Sequence, residues 1–174
     1  MSDVAIALLR AVNVGGANRL AMAELRALCE SVGLTDPKTY IQSGNVVCRT
    51  SLDEQVIVDV LGAALEKHLG NPVGVIVRTA AELDAVLARN PFGEEEPNRV
   101  HVVFLPVVAP EDAAKQVVAP GGERVVVEGR EVYVHYPDGQ GRSKLRLPFA
   151  KSGTARNVNT AARLAEMADT LLGD

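Results

Sequence analysis

Three short segments carry side chains that could hold a charged ligand. The first runs Asn13, Val14, Gly15, Gly16, Ala17, Asn18, Arg19, with Arg10 just ahead of it; the second is Gln42, Ser43, Gly44, Asn45; the third, Ser152 to Ala161, contains Arg156, Asn157, Asn159 and Thr160. A paired-glycine loop opening a helix can aim backbone N–H groups at an anion, and the helix dipole adds favourable partial charge there. Arg19 would reinforce such a site. The pattern is neither a dinucleotide fingerprint nor a Walker loop, and Gly15-Gly16 before Asn18 equally meets the needs of a tight turn followed by an N-cap. In the third segment Arg156 stands among hydroxyl and amide side chains at the expected start of the last helix, where acids are favoured over cations. That cluster suits a phosphate or a carboxylate, whether a ligand's or one of the protein's own. Capping by Asn157 or Thr154, with Arg156 in an internal salt bridge, accounts for the same residues.

Charge is unevenly placed around these segments. The formal net charge of -4 argues against broad attraction to nucleic acid or anionic lipid. No acid occurs between Asp3 and Glu24, a stretch holding Arg10 and Arg19, and none between Asp138 and Glu166, where Arg142, Lys144, Arg146, Lys151, Arg156 and Arg163 all fall. Acids crowd the middle, including Glu94, Glu95 and Glu96. Chance clustering on a solvated surface explains the same distribution.

Templates for catalysis find little support. His68, His101 and His135 lack metal-ligand spacing, Ser43 lacks the leading glycine of a nucleophile elbow, and nothing beside Cys48 would lower its pKa. No metal and no cofactor is called for. The favoured function is therefore a binding module for a phosphorylated or other anionic small molecule. A nucleic-acid end fits less well, because aromatic content is 3% with no Trp to stack on a base. The alternatives are an enzyme in which Gln42, Ser43, Asn45 and the arginines orient a substrate, and a partner protein associating through sheet edges.

The elements that must position these residues follow from periodicity. Val4 to Val14, an apolar run broken only by Arg10, predicts a buried strand. Met22, Leu25, Leu28, Cys29 and Val32 recur at helical spacing and stop at Gly33. Thr39 to Gln42 and Val46 to Arg49 read as a hairpin about Ser43-Gly44-Asn45. Asp53 caps a helix carrying Val56, Val60, Leu61, Ala64, Leu65 and Leu69, ended by Gly70 and Pro72, and Val73 to Val77 is a strand. This β-α-β-β-α-β order is the ferredoxin-like split βαβ unit. Ala80 to Arg89 reads as a connecting helix, and Asn90 to Gly93 with the triple Glu as a boundary. A second, incomplete ferredoxin-like unit follows: strand Val100 to Val108, helix Pro110 to Val118, hairpin Arg124 to Glu128 with Glu131 to Tyr136, and helix from Gly141 onward. In its last part Val158, Ala161, Ala165, Ala168 and Leu172 mark one face. The expected fold is α+β, with domains at 1–90 and 98–174 and C-terminal helices in the second.

The expected compartment is the cytoplasm. The opening Met-Ser-Asp-Val has no basic segment, no run of about 18 apolar residues occurs, and Cys29 and Cys48 form no disulfide framework, so free thiols and no membrane partner are expected.

Four blocks carry a family resemblance. Leu8-Leu9-Arg10-Ala11-Val12-Asn13-Val14-Gly15-Gly16, Met22-Ala23-Glu24-Leu25, Thr39-Tyr40-Ile41-Gln42-Ser43-Gly44-Asn45-Val46-Val47 and Arg156-Asn157-Val158-Asn159-Thr160 resemble the bacterial family catalogued as domain of unknown function 1697. The family usually has Gly at the position of Ala11 and Trp at that of Val158. The resemblance implies ferredoxin-like units and an unassigned activity, and it supplies no catalytic residues. Antiparallel order would place Arg10, Asn13, Asn18, Arg19, Gln42, Ser43 and Asn45 at one end of the first sheet, with Arg156 to Thr160 folding back to meet them.

Overall fold

The computed structural model describes residues 3–174, so the first two residues of the expected 1–90 domain lie outside it. Its described residues form a mixed α+β chain with five α-helices and two four-stranded antiparallel sheets. By compactness the chain divides into two units, one running to Asp84 and including Arg163–Asp174, the other Ala85–Ala162.

In the first unit β1 (Asp3–Leu9), α1 (Met22–Ser31), β2 (Thr35–Thr39), β3 (Asn45–Thr50), α2 (Glu54–Leu69) and β4 (Val75–Thr79) build a sheet of order β2-β3-β1-β4. Ala5, Ala7 and Leu9 of β1 share a core with Leu25 and Cys29 of α1 and with Ile57, Leu61 and Leu65 of α2. Val4, Ile6 and Leu8, on the opposite face, are buried as well. A strand buried on both faces needs a continuous apolar run, which is why β1 reads without alternation. It ends at Leu9 rather than Val14, because Ala11 and Asn13 take φ of 57° and 55° and turn the chain away.

β2 occupies Thr35–Thr39 instead of the expected Thr39 to Gln42. It is an edge strand, so Pro37 can sit in it without a missing ladder bond, and its register slips between Thr35 and Lys38, where Asp36 has φ 50°. Tyr40 to Gly44 are thereby released to form the turn. The α2 helix starts on Asp53, whose side chain accepts from the Val56 N–H at 3.0 Å, and ends on Gly70, whose φ is 80°. Its buried stripe is Ile57, Leu61 and Leu65, while Val56 is exposed. The Arg49 guanidinium of β3 donates to the Leu171 carbonyl and, at 3.3 Å, to that of Asp174, fastening the last turn of the C-terminal helix to this sheet.

The second unit opens within α3 (Ala80–Ala88), which begins on a capping box: the Glu82 N–H donates to Thr79 Oγ1 at 3.0 Å and the Thr79 N–H to Glu82 Oε1 at 2.8 Å. Then β5 (Val100–Phe104), α4 (Ala113–Gln116), β6 (Arg124–Glu128), β7 (Glu131–His135) and β8 (Thr154–Asn157) form a sheet of order β6-β7-β5-β8, before α5 (Val158–Gly173). Asn90 to Glu96 is not a bare linker: Phe92 is buried beneath the Arg124 guanidinium, 5.0 Å from its ring centre, and Glu95 pairs with Arg124 at 2.7 Å and His135 at 3.4 Å.

Three expected elements are shorter or different here. β5 ends at Phe104, since Leu105 turns its N–H to the Arg130 carbonyl and Pro106 has none to offer, leaving Val107 and Val108 exposed. α4 keeps only four residues of the expected Pro110 to Val118. From Gly141 to Asn157 the chain is not helical; it holds a 3-10 turn at Pro148–Ala150 and then β8, paired with β5 from Phe104↔Thr154 to His101↔Asn157. Gly153 permits that pairing, because a Cβ there would stand 2.9 Å from the Phe104 carbonyl oxygen. Helical spacing governs only α5, whose buried apolar residues are Ala161, Leu164, Ala165, Ala168 and Leu171, with Leu172 exposed.

Cys29 and Cys48 are free and buried in the first core. Burial pushes both thiols up, Cys29 to about 12 and Cys48 to about 11, with the neighbouring Cys48 and Glu30 adding to the effect on Cys29. The native state thus favours the protonated thiols. Their stabilising contribution is complete below the ordinary value of 9.0 and disappears as pH rises toward those folded values. Native protein should resist iodoacetamide at pH 8, two thiols should react on unfolding, and stability should fall progressively above pH 9 in denaturant melts. Rapid native alkylation of Cys48 would contradict this assignment.

Candidate functional site

Where β1 leaves the first sheet, two segments are knotted together. The Leu9 N–H donates to the Gly44 carbonyl at 2.8 Å and the Arg10 N–H to that of Gly74 at 2.9 Å. Asn13 does most of the tying. Its Nδ2 donates to the carbonyls of Leu20 (2.9 Å) and Gln42 (2.7 Å), while its Oδ1 accepts from the Leu20 N–H (2.8 Å). Asn18 Nδ2 reaches the Ala11 carbonyl at 3.3 Å. Across the turn, buried Asn45 donates from Nδ2 to the Tyr40 carbonyl and to Ser43 Oγ, both at 2.9 Å. The β1 exit loop and the Tyr40 to Gly44 turn therefore share one end of the sheet.

Gly15 and Gly16 form the tip of a small hairpin rather than the mouth of a helix. Val14 and Ala17 bridge antiparallel, both glycines have positive φ (59° and 79°), and α1 begins only at Met22 behind Ala21, which makes no side-chain cap. That combination is what a two-residue primed turn requires. The N–H groups of Gly15 and Gly16 make no hydrogen bond among the described residues, both glycines are exposed, and the Arg19 guanidinium lies over Gly16, 3.8 Å from where a Cβ would be. Arg19 has no ion pair among the described residues.

The candidate residues thus separate by accessibility. Arg10, Gly15, Gly16, Arg19 and Gln42 are exposed, whereas Asn13 and Asn45 spend their amides on the backbone and act as fasteners. Arg156 to Thr160 belong to the second unit. There Arg156 lies in β8 opposite Val102 and donates to Thr154 Oγ1 (2.7 Å) and the Ala155 carbonyl (2.9 Å); burial lowers its pKa to about 10, so it is a cation at neutral pH. Asn157 caps α5 by accepting from the Thr160 N–H at 2.8 Å, Thr160 is buried, and Asn159 is exposed.

Backbone strain marks the first-sheet site in a way that residue type alone does not signal. Of the five non-glycine residues with positive φ among the described residues, four fall here: Ala11, Asn13, Asn18 and Ile41. Asn tolerates the left-handed region; Ala and above all β-branched Ile do not. Ile41 has φ 48° and remains exposed.

His68 pairs with Glu24 at 2.6 Å, burial lowers the pKa of His101, and no group of three His, Cys, Asp or Glu side chains among the described residues could hold a metal. No helix among them is long and apolar enough to cross a membrane. The second unit has its own concavity, of about 670 Å³, whose wall includes Tyr136, Arg142, Ser143 and Lys144. The acid-free stretch pointed to two of these residues, but its expected helical form concealed the cavity.

The family described as "Protein of unknown function (DUF1697)" matches residues 2–133. The chain belongs to that family. No curated protein matches it. Among solved structures, that of the conserved bacterial protein SP0830 from Streptococcus pneumoniae is similar over 97% of this chain and 99% of its own, with TM-score 0.78 and 21% identity. At that identity the likeness speaks to fold alone. The DUF1697 match contains the whole first-sheet site and stops short of Arg142 and Arg156.

Two substitutions separate close packing from strain at this site. A Cβ on Gly44 would stand 2.7 Å from both Leu9 Cβ and Val12 Cγ2, and the residue has φ 87°, so Gly44→Ala should cost about 2–4 kcal/mol in urea melts. Ala11→Gly, which restores the family's usual residue, relieves a left-handed Ala worth about 1–2 kcal/mol against a smaller unfolded-state penalty, and should raise Tm by about 2–4 °C.

Proposed function

We propose that this DUF1697 protein is a binding module for a phosphorylated or otherwise anionic small molecule, held at the β1-exit end of the first sheet. The observation that carries the reading is Arg19. Its guanidinium lies over a glycine turn whose N–H groups make no internal hydrogen bond, in a stretch with no acid between Asp3 and Glu24. Exposed Arg10 and Gln42 border the same end. An anion there would receive backbone N–H donors and a planar charged fork together. The strained Ala11 and Ile41 support the reading, since backbone strain concentrates where geometry serves binding.

The accompanying fold reading is that both four-stranded units are ferredoxin-like. The β2-β3-β1-β4 order supports it for the first, and the corresponding antiparallel β6-β7-β5-β8 order for the second, where a 3-10 turn replaces the second helix. The two buried free thiols support a reducing, cytoplasmic setting.

Inorganic phosphate, sulfate and citrate, titrated while amide shifts are followed by NMR, should move Gly15 and Gly16 first, with affinity falling as salt rises. Arg19→Ala should weaken binding by about tenfold with unchanged Tm, the scale of one charge-assisted contact. Absence of shifts at Gly15 and Gly16 with all three anions would overturn the proposal.

A further inference from the structure

The basic stretch that follows Asp138 is not explained by the first-sheet site. In the second unit it runs as an extended strap on which Arg142, Lys144 and Arg146 are exposed while Ser143, Leu145 and Leu147 are partly buried. Leu145 and Leu147 pack against a core of Val103, Leu105, Val132, Val134 and Tyr136. The strap is pinned where Arg146 and Val118 exchange backbone hydrogen bonds at 2.9 and 3.0 Å. A second turn lies ahead of it, where the Ser143 N–H donates to the Gln140 carbonyl and Ser143 Oγ accepts from the Leu145 N–H, both at 3.1 Å. These contacts give the cations a fixed frame.

The cavity beside the strap, of about 670 Å³, falls within the usual range for small-molecule sites, roughly 300–1,000 Å³. Pro120, Pro137 and Tyr136 contribute apolar lining, and Arg142 and Lys144 contribute cations. Tyr136 is 9% exposed, and its hydroxyl has no hydrogen-bond partner among the described residues. No buried side-chain polar atom among the described residues lacks a partner, so this unpaired hydroxyl is open to solvent and available to a ligand in the cavity. Burial and the Glu123 carboxylate hold its pKa above the ordinary value, keeping it a donor at neutral pH. Neither Arg142 nor Lys144 is ion-paired among the described residues, although Glu123 and Asp138 line the same cavity. Glu123 is instead turned onto the Gly121 N–H, at 2.9 and 3.2 Å from its two oxygens.

We infer that this cavity is a second binding site, for a small phosphate ester whose ring bears an amino group, of the mononucleotide class. Arg142 and Lys144 take the phosphate, the prolines and Tyr136 face the ring, the Tyr136 hydroxyl donates to it, and Glu123 or Asp138 accepts from its amino edge. A lining that holds both cations and carboxylates favours a ligand with both characters over a uniform polyanion, and the net charge of -4 disfavours a nucleic-acid strand.

Calorimetric titration of the full chain with AMP, GMP, adenosine, guanosine and inorganic phosphate tests this assignment. AMP or GMP should bind saturably, with the matching nucleoside and inorganic phosphate each at least about tenfold weaker, because each lacks half of the recognised groups. The double variant Arg142→Ala, Lys144→Ala should lose at least about tenfold in affinity, Tyr136→Phe about threefold or more without a fall in Tm, and Arg146→Ala, whose side chain is outside the cavity, nothing. The inference is overturned if no nucleotide binds at millimolar concentration, if nucleoside or inorganic phosphate binds as tightly as the nucleotide, or if affinity survives the double variant. It is overturned too if Arg19→Ala alone abolishes nucleotide binding, an outcome that assigns the ligand to the first-sheet site instead.

Discussion

The contact between Gly44 and the Leu9–Val12 corner sets the geometry of the first unit's working end. With no Cβ at position 44, the turn backbone closes onto β1 and accepts the Leu9 N–H, where any side chain would collide. Asn13 then fixes the next step by holding Leu20 through two hydrogen bonds and Gln42 through a third. Because Leu20 is buried and directly precedes the approach to α1, this one amide fixes the exit of β1, the turn before β3 and the entry to α1. The exposed groups at this end have their positions decided by these buried fasteners. An engaged fastener and an available ligand group have the same side-chain chemistry, and only the hydrogen bonds distinguish Asn13 from Gln42.

That distinction marks the limit of what residue types reveal. Periodicity placed α1, α2 and the β6–β7 hairpin well, since their apolar stripes and their ends at Gly33, Gly70 and Gly129 are local properties. The β2 strand was displaced by four residues because edge position excuses Pro37, and edge position is a tertiary fact. The β8 strand was hidden for a related reason: Thr154 to Asn157 has no apolar alternation, and pairing with β5 supplies what its own sequence does not. At the site, the Tyr40 to Asn45 block drew attention by composition, but the positive φ of Ile41 has no signature in its residue type.

The second unit shows how a short element can be held without regular structure of its own. From Gly141 to Gly153 there is one 3-10 turn, yet Leu145, Leu147, Phe149 and Ala150 all pack against the core of this unit. Apolar residues at every second position put the intervening cations outside, the same period-two logic that governs a strand. A helix over this segment would have spread Arg142, Lys144 and Arg146 around its circumference; the extended strap keeps them on one side.

Charge pairing explains why cations remain available in a chain that is acidic overall. The crowded acids of the middle are not surplus to its arginines: Glu95 holds Arg124, Glu96 lies 3.6 Å from Arg99, and Arg89 reaches both Glu128 and Glu131. These pairs are mostly exposed and each contributes little to stability, of the order of 0–1 kcal/mol. Their larger consequence is for the electrostatic surface, since they neutralise the middle of the chain locally. Arg19, Arg142 and Lys144, lying in stretches without acids, form no ion pair among the described residues, although Glu123 and Asp138 line the same cavity as the last two. A charge that improves neither packing nor pairing is compatible with stability at an exposed position, where water solvates it. Its fixed place over a glycine turn, or on the rim of a cavity with an open phenol, is what turns ordinary surface charge into a candidate for recognition.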